Sequence, residues 1–117
     1  MINDYRDLQV WQHAMTLCEK VYAHLRKFPS EERFGLCDQI RRAVVSIPSK
    51  IAEGNGRDSR SEYAHFLSIA RGSTCEVQTQ LELGERFGYA KVTDDIKILV
   101  DNLSRMLLVM MRKLRTP

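Results

Sequence analysis

The sequence predicts an all-α domain, an antiparallel up-and-down four-helix bundle, and three observations carry that expectation. Apolar residues recur at spacings of three and four through four successive segments, as amphipathic helices require. Three short breaks separate the segments, and connections that short make consecutive helices antiparallel neighbours. The chain has 117 residues, 44% hydrophobic and 28% charged, which suits one core and one domain over 1–117 rather than two.

The first helix is expected from about Asp7 to Phe28. Val10, Ala14, Leu17, Val21 and Leu25 form one stripe. Leu8, Trp11, Met15, Cys18 and Tyr22 form a second, about 100° further round a helix of 3.6 residues per turn. Pro29-Ser30-Glu31-Glu32 ends this helix and opens the next, because proline suits a first turn and acids complement the amino-terminal dipole. The second helix carries Leu36, Ile40, Val44, Ile47 and Ile51. Pro48 lacks a backbone donor and crowds the preceding turn, so a kink is expected there. Gly54-Asn55-Gly56 closes the helix with a glycine able to take a left-handed cap. Ser59-x-x-Glu62 is a capping box that starts the third helix, whose apolar face reads Tyr63, Phe66, Leu67, Ala70, Thr74, Val77, Leu81. Gly72 interrupts that helix at a cost, and close approach by a neighbouring backbone would account for it. Gly88 supplies a stop. The fourth helix opens at Thr93 with Asp94 and Asp95 in its first turn, and Ile96, Leu99, Leu103, Met106 and Met110 trace a bundle seam.

Helices one and four carry more apolar surface than one bundle can cover. Leu8, Trp11, Met15 and Tyr22 on the first, and Ile98, Leu108 and Val109 on the fourth, are the candidate oligomer interface. A polar outer face is the rule for a monomer's helix, so these residues predict a homo-oligomer.

Several function classes find no support. Cys18, Cys37 and Cys75 are odd in number, far apart and without a C-x-x-C pair, so no zinc knuckle or redox motif is expected. Free thiols of this kind suit a reducing, cytoplasmic setting. No signal peptide is expected from the first residues, and the longest apolar run, Met106 to Met111, is too short to span a bilayer. Glu62-x-x-His65 is half of a di-iron bundle motif, and a complete site needs a second copy and two more glutamates. A cryptic metal-binding bundle enzyme is therefore the weakest of three alternatives. His13, His24 and His65 have no nucleophile at a telling spacing, so no enzyme, cofactor or small-molecule substrate is predicted.

The net charge is +3, mildly basic and compatible with a polyanion. Arg41, Arg42, Lys50, Arg57 and Arg60 surround the second connection and are the candidate nucleic-acid-binding set, since guanidinium groups match phosphate geometry. The competing reading is a solvated surface. Asp38 precedes Arg42 by four residues and Glu53 precedes Arg57 by four, both helical ion-pair spacings. Arg105, Arg112, Lys113 and Arg115 form a second group that suits the carboxyl-terminal dipole of the last helix. With no aromatic interleaved in either group, no single-strand stacking platform is expected.

The chain resembles the four-helix-bundle proteins encoded by intervening sequences in bacterial 23S ribosomal RNA genes. The matching strings are Asp7-Leu8-x-Val10-Trp11-Gln12-x-Ala14, Phe28-Pro29-x-x-Glu32 and Phe34-Gly35-Leu36-x-x-Gln39-Ile40-Arg41-Arg42-Ala43. Further along come Ser46-Ile47-Pro48, Ile51-Ala52-Glu53-Gly54, Phe66-Leu67-x-Ile69-Ala70-Arg71-Gly72-Ser73 and Gly88-Tyr89. Lys50 stands where the family usually has Asn, and Gly84 where Ala is commoner. The resemblance implies a left-handed bundle, typically a ring-like homopentamer, without enzymatic activity. A similar bundle is the accessory protein of diversity-generating retroelements, which binds a reverse transcriptase and nucleic acid. The expected function is thus a homo-oligomeric binding protein for RNA, DNA or a reverse-transcriptase-like protein. The alternative is a structural adaptor with no affinity for nucleic acid.

Overall fold

The computed structural model describes residues 4–117. The chain forms four α-helices: α1 Gln9–Leu25, α2 Leu36–Asn55, α3 Arg60–Arg86 and α4 Asp94–Arg115. Short 3-10 turns at Tyr5–Asp7 and Ser30–Glu32 precede α1 and α2, and no strand occurs among the described residues. The helices pack in a ring, α1 on α2, α2 on α3, α3 on α4 and α4 back on α1, in a body of 47 × 23 × 20 Å.

α1 begins later and ends earlier than its sequence pattern suggests. Asp4 caps the Tyr5–Asp7 turn by accepting the Arg6 N–H at 2.9 Å, and Leu8 is extended, so the α-helix cannot start before Gln9. The first expected stripe is the buried one: Val10, Ala14, Leu17, Val21 and Leu25 all lie in the core. α2 also starts later, at Leu36. The acids after Pro29 form a separate turn, and Glu32 accepts the Leu36 N–H at 3.1 Å.

Pro48 sits buried inside α2, and its missing N–H would have donated to Val44. That carbonyl is served from across the bundle: the Cys18 thiol of α1 donates to it at 3.2 Å. Burial, and next the charge of Glu19, push the Cys18 pKa up to about 11, keeping the thiol protonated as a donor. The glycines differ from expectation. Gly56 has φ −82°, so the end of α2 uses no left-handed cap. Gly54 is instead the residue of close approach, where an added Cβ would lie 2.8 Å from the Phe66 Cβ and 3.3 Å from the Tyr63 carbonyl oxygen of α3. Gly72 is exposed with nothing within 4 Å, so no neighbouring backbone explains it.

α3 starts as predicted, with the Ser59 hydroxyl accepting the Glu62 N–H at 3.0 Å. It stops where Gly88 adopts φ 81°. There the Tyr89 N–H reaches the Gly84 carbonyl and the Gly88 N–H the Glu85 carbonyl, the paired bonds of a left-handed helix stop. Gly84 leaves a notch filled by the Phe28 ring. In α4 the buried line is Ile96, Val100, Leu103, Leu107 and Met111. Leu99, Met106 and Met110 are half-buried at its edge, so the helix is rotated from the expected seam while sharing Ile96 and Leu103 with it.

Candidate functional site

The five candidate nucleic-acid residues divide between two places along the bundle, and each has a partner within the chain. Arg42 pairs with Asp38 at 3.1 Å, four residues back. Arg41 donates to the Arg33 carbonyl oxygen at 2.8 Å, tying the front of α2 to the preceding turn. Near the other end of α2, Glu53 receives Lys50 at 3.2 Å and Arg57 at 3.3 Å. The hydrogen bond from Lys50 first, and Arg57 after it, holds the Glu53 carboxyl below its usual value. Both cations also lie over the Phe66 ring, Arg57 at 4.7 Å and Lys50 at 5.8 Å from its centroid. Both four-residue ion-pair spacings are therefore realised.

Arg60 makes a contact that no local spacing foreshadows. Its guanidinium donates to the carbonyl oxygens of Lys113 at 2.7 Å, Leu114 at 3.2 Å and Thr116 at 3.4 Å. The first turn of α3 thereby caps the last turn of α4, satisfying carbonyls that a helix end leaves without donors. Arg60, Arg112 and Lys113 come together around an open cleft of about 470 Å³. Arg112, Lys113 and Arg115 have no acidic partner among the described residues, whereas Arg105 pairs with Asp101 at 3.4 Å.

The candidate interface residues also separate into groups. Leu8 and Trp11 are half-buried and packed against the core, with the Trp11 ring edge-on to Tyr5 at 5.4 Å. Met15 and Tyr22 are 39% and 43% exposed. Cys18, on their side of α1, reaches α2, while Lys20 on the other side reaches Asp95 of α4 at 2.9 Å. Met15 and Tyr22 therefore lie on the flank toward α2. Ile98 and Val109, 60% and 50% exposed, share the back of α4, eleven residues or about 20° apart. Leu108 is half-buried, one residue and about 100° from Val109. Exposed Gln12, Glu19 and Arg26 run along the back of α1 between the two apolar groups.

Sequence reasoning missed Phe34, which is 85% exposed beside Arg33, whose guanidinium lies 5.4 Å from the ring centroid. Arg41 is tied to the carbonyl oxygen of the residue before this ring, so an aromatic sits in the turn that Arg41 tethers. The available signal was the Arg33-Phe34 dipeptide in a turn with only Cys37 as an apolar residue at helical spacing. His65 of the half-motif is exposed, edge-on to Phe66 at 5.9 Å. Among the described residues no three His, Cys, Asp or Glu side chains converge as metal ligands, and no helix is long and apolar enough to cross a membrane.

Comparison with known proteins adds one finding. A family model described as 23S rRNA-intervening sequence protein matches residues 6–109, spanning all of α1, α2 and α3 and most of α4. No curated protein matches the chain.

Proposed function

Since the chain belongs to the 23S rRNA-intervening sequence protein family, we propose that it is a non-enzymatic, homo-oligomeric binding protein, with a pentameric ring as its assembly. Its partner is structured nucleic acid or a protein that handles it, in the cytoplasm. The observation that carries the assembly is the exposure of Met15, Tyr22, Ile98 and Val109, which the fold leaves at 39, 43, 60 and 50%. Apolar side chains in such number on two faces of a small body favour burial against another copy.

The topology in this reading is an up-and-down, left-handed bundle with antiparallel neighbours and a bend at Pro48. Support comes from pairs at two levels along neighbouring helices: Asn55 with Tyr63 near the connection and Ser46 with Ser73 midway, and Arg60 with Leu114 and Glu85 with Val92 towards the two ends of α3. The nucleic-acid partner is supported by the cleft of Arg60, Arg112 and Lys113 and by the partial exposure of Arg57 and Lys50. A structural adaptor without affinity for nucleic acid is the second reading. What favours it is that Arg41, Arg42, Lys50, Arg57 and Arg60 all have partners inside the chain.

The test is native mass before and after nuclease treatment, followed by an RNA-binding isotherm at two salt concentrations. The expected mass is several times the 13.6 kDa of one chain, with binding that weakens as salt rises through counterion release. A monomer in dilute buffer defeats the assembly. An isotherm indifferent to salt removes the arginines from the mechanism, and indifference to RNA selects the adaptor.

A further inference from the structure

The exposed rows of α1 and α4 match each other. On α1, Met15, Glu19, Tyr22 and Arg26 all face solvent at spacings of four, three and four. On α4, taken from its carboxyl end, Val109, Arg105, Asn102 and Ile98 face solvent at the same spacings. At 3.6 residues per turn each row occupies about 60° of its helix, and at 1.5 Å per residue each is about 16 Å long. Two such rows laid antiparallel set Met15 against Val109 and Glu19 against Arg105. They set Tyr22 against Asn102, whose amide suits a hydroxyl, and Arg26 against Ile98, whose surface suits the arginine's apolar stem.

The order of charges fixes the direction. Glu19 and Arg26 join no ion pair among the described residues. Along α1 the acid Glu19 comes before the cations Arg26 and Lys27, at the helix end. Along α4, Asp94, Asp95 and Asp101 come first, and Arg105, Arg112 and Lys113 follow. Antiparallel contact puts Glu19 beside Arg105, and Arg26 between Asp94 and Asp101, about one turn to either side of Ile98. Parallel contact would drive Arg26 among Arg105, Arg112 and Lys113, and Glu19 towards Asp101. Flanking charges choose partner and orientation in paired helices in this way. Arg105 holds Asp101 at 3.4 Å, but with side chains 75 and 64% exposed that pair is weak and can share its cation. A foreign partner would need a complement to one row only. Here both halves lie on one chain, which points to a second copy. In the up-and-down reading α1 and α4 of one chain run in opposite directions. Antiparallel contact between copies therefore sets them side by side in the same direction, as a ring about an axis along the bundles requires. We propose that α4 of one copy lies antiparallel on α1 of the next, with Glu19 and Arg105 paired across the seam. The proposal rests on the assembly reading above and names its seam.

The experiment measures native mass by light scattering across a dilution series for wild type, Glu19→Arg, Arg105→Glu and the chain carrying both changes. Helical circular dichroism is recorded for each. Each single variant should raise the concentration at which copies part about tenfold or more, and the double variant should return it to near the wild-type value. Helix content should stay unchanged in all three. Direction is tested by mild oxidation in a Cys75→Ser background. Met15→Cys with Val109→Cys should link chains into multimers on a denaturing gel, and Met15→Cys with Ile98→Cys should not. Single variants that assemble as the wild type does overturn this seam and leave the assembly standing. A double variant as weak as the singles overturns it too, as does linkage through Ile98 in place of Val109. A wild-type protein with the mass of one chain removes both the seam and the assembly.

Discussion

At the scale of single residues, His24 is the group most out of place. It is 3% exposed at the end of α1, with neither ring nitrogen hydrogen-bonded and its ring edge-on to Phe28 at 5.9 Å. Burial first, and then the Lys27 ammonium, hold its pKa below the ordinary 6.5, against the opposing pull of Asp95 and Glu85. The folded protein therefore favours the neutral ring, and the unfolded chain takes up the proton first as pH falls. Stability is full above 6.5 and declines below that value until the folded-state pKa is passed. Glu32, Glu53 and Asp95 have lowered folded pKa values, so their contributions are present above unfolded values of 4.5, 4.5 and 3.8 and vanish below them. The two windows are separate. The thermal midpoint should fall between about pH 7 and 5, and His24→Leu should flatten that slope. A wild-type midpoint that stays level over the interval would remove His24 from this role.

At the scale of helices, two glycines make opposite predictions for the same substitution. Gly54→Ala forces a methyl group against the Phe66 Cβ and the Tyr63 backbone, so it should cost about 1–3 kcal/mol by parting α2 from α3. Gly72→Ala meets open space and should gain about 1 kcal/mol from helix propensity. Urea denaturation of both variants decides the matter, and a Gly54→Ala protein as stable as wild type would refute the close approach. The sequence could suggest that a glycine marked a helix contact but not which one, because packing distance depends on partners far along the chain. Both stripes on α1 were legible from spacing, and the one from Val10 to Leu25 is the buried one. On α4, Ile96, Leu99, Val100, Leu103, Met106, Leu107, Met110 and Met111 are all apolar, and their spacings fit two overlapping stripes. The buried choice between them follows from how α1 and α3 flank the helix, which no local pattern contains.

At the scale of the whole molecule, the apolar surplus foreseen on α1 and α4 lies on two sides, with Gln12, Glu19 and Arg26 between them. A contact that joins one side of a copy to the other side of the next is heterologous, and its repetition gives a ring where the rotation between copies closes. On the proposed assembly, Met15→Glu and Ile98→Glu should each reduce native mass without loss of helix content. An equimolar mixture of the two should recover a two-chain species, because each variant keeps the face its neighbour lacks. Unaltered mass in both variants would place the contact elsewhere. The candidate site was the least legible part of the chain. Arg60 meets Lys113 across 53 positions, and Phe34 is notable only because the fold finds nothing to cover it.

The bond from Cys18 to Val44 also gives the bundle a chemical stopwatch. Cys75 is exposed, so an alkylating reagent at neutral pH meets it without waiting. Cys18 is half-buried, protonated, and engaged by the carbonyl that Pro48 leaves unserved. Cys37 is buried and would label slowly as well, so in a Cys37→Ala protein the slow step in alkylation is that of Cys18 and times the parting of α1 from α2.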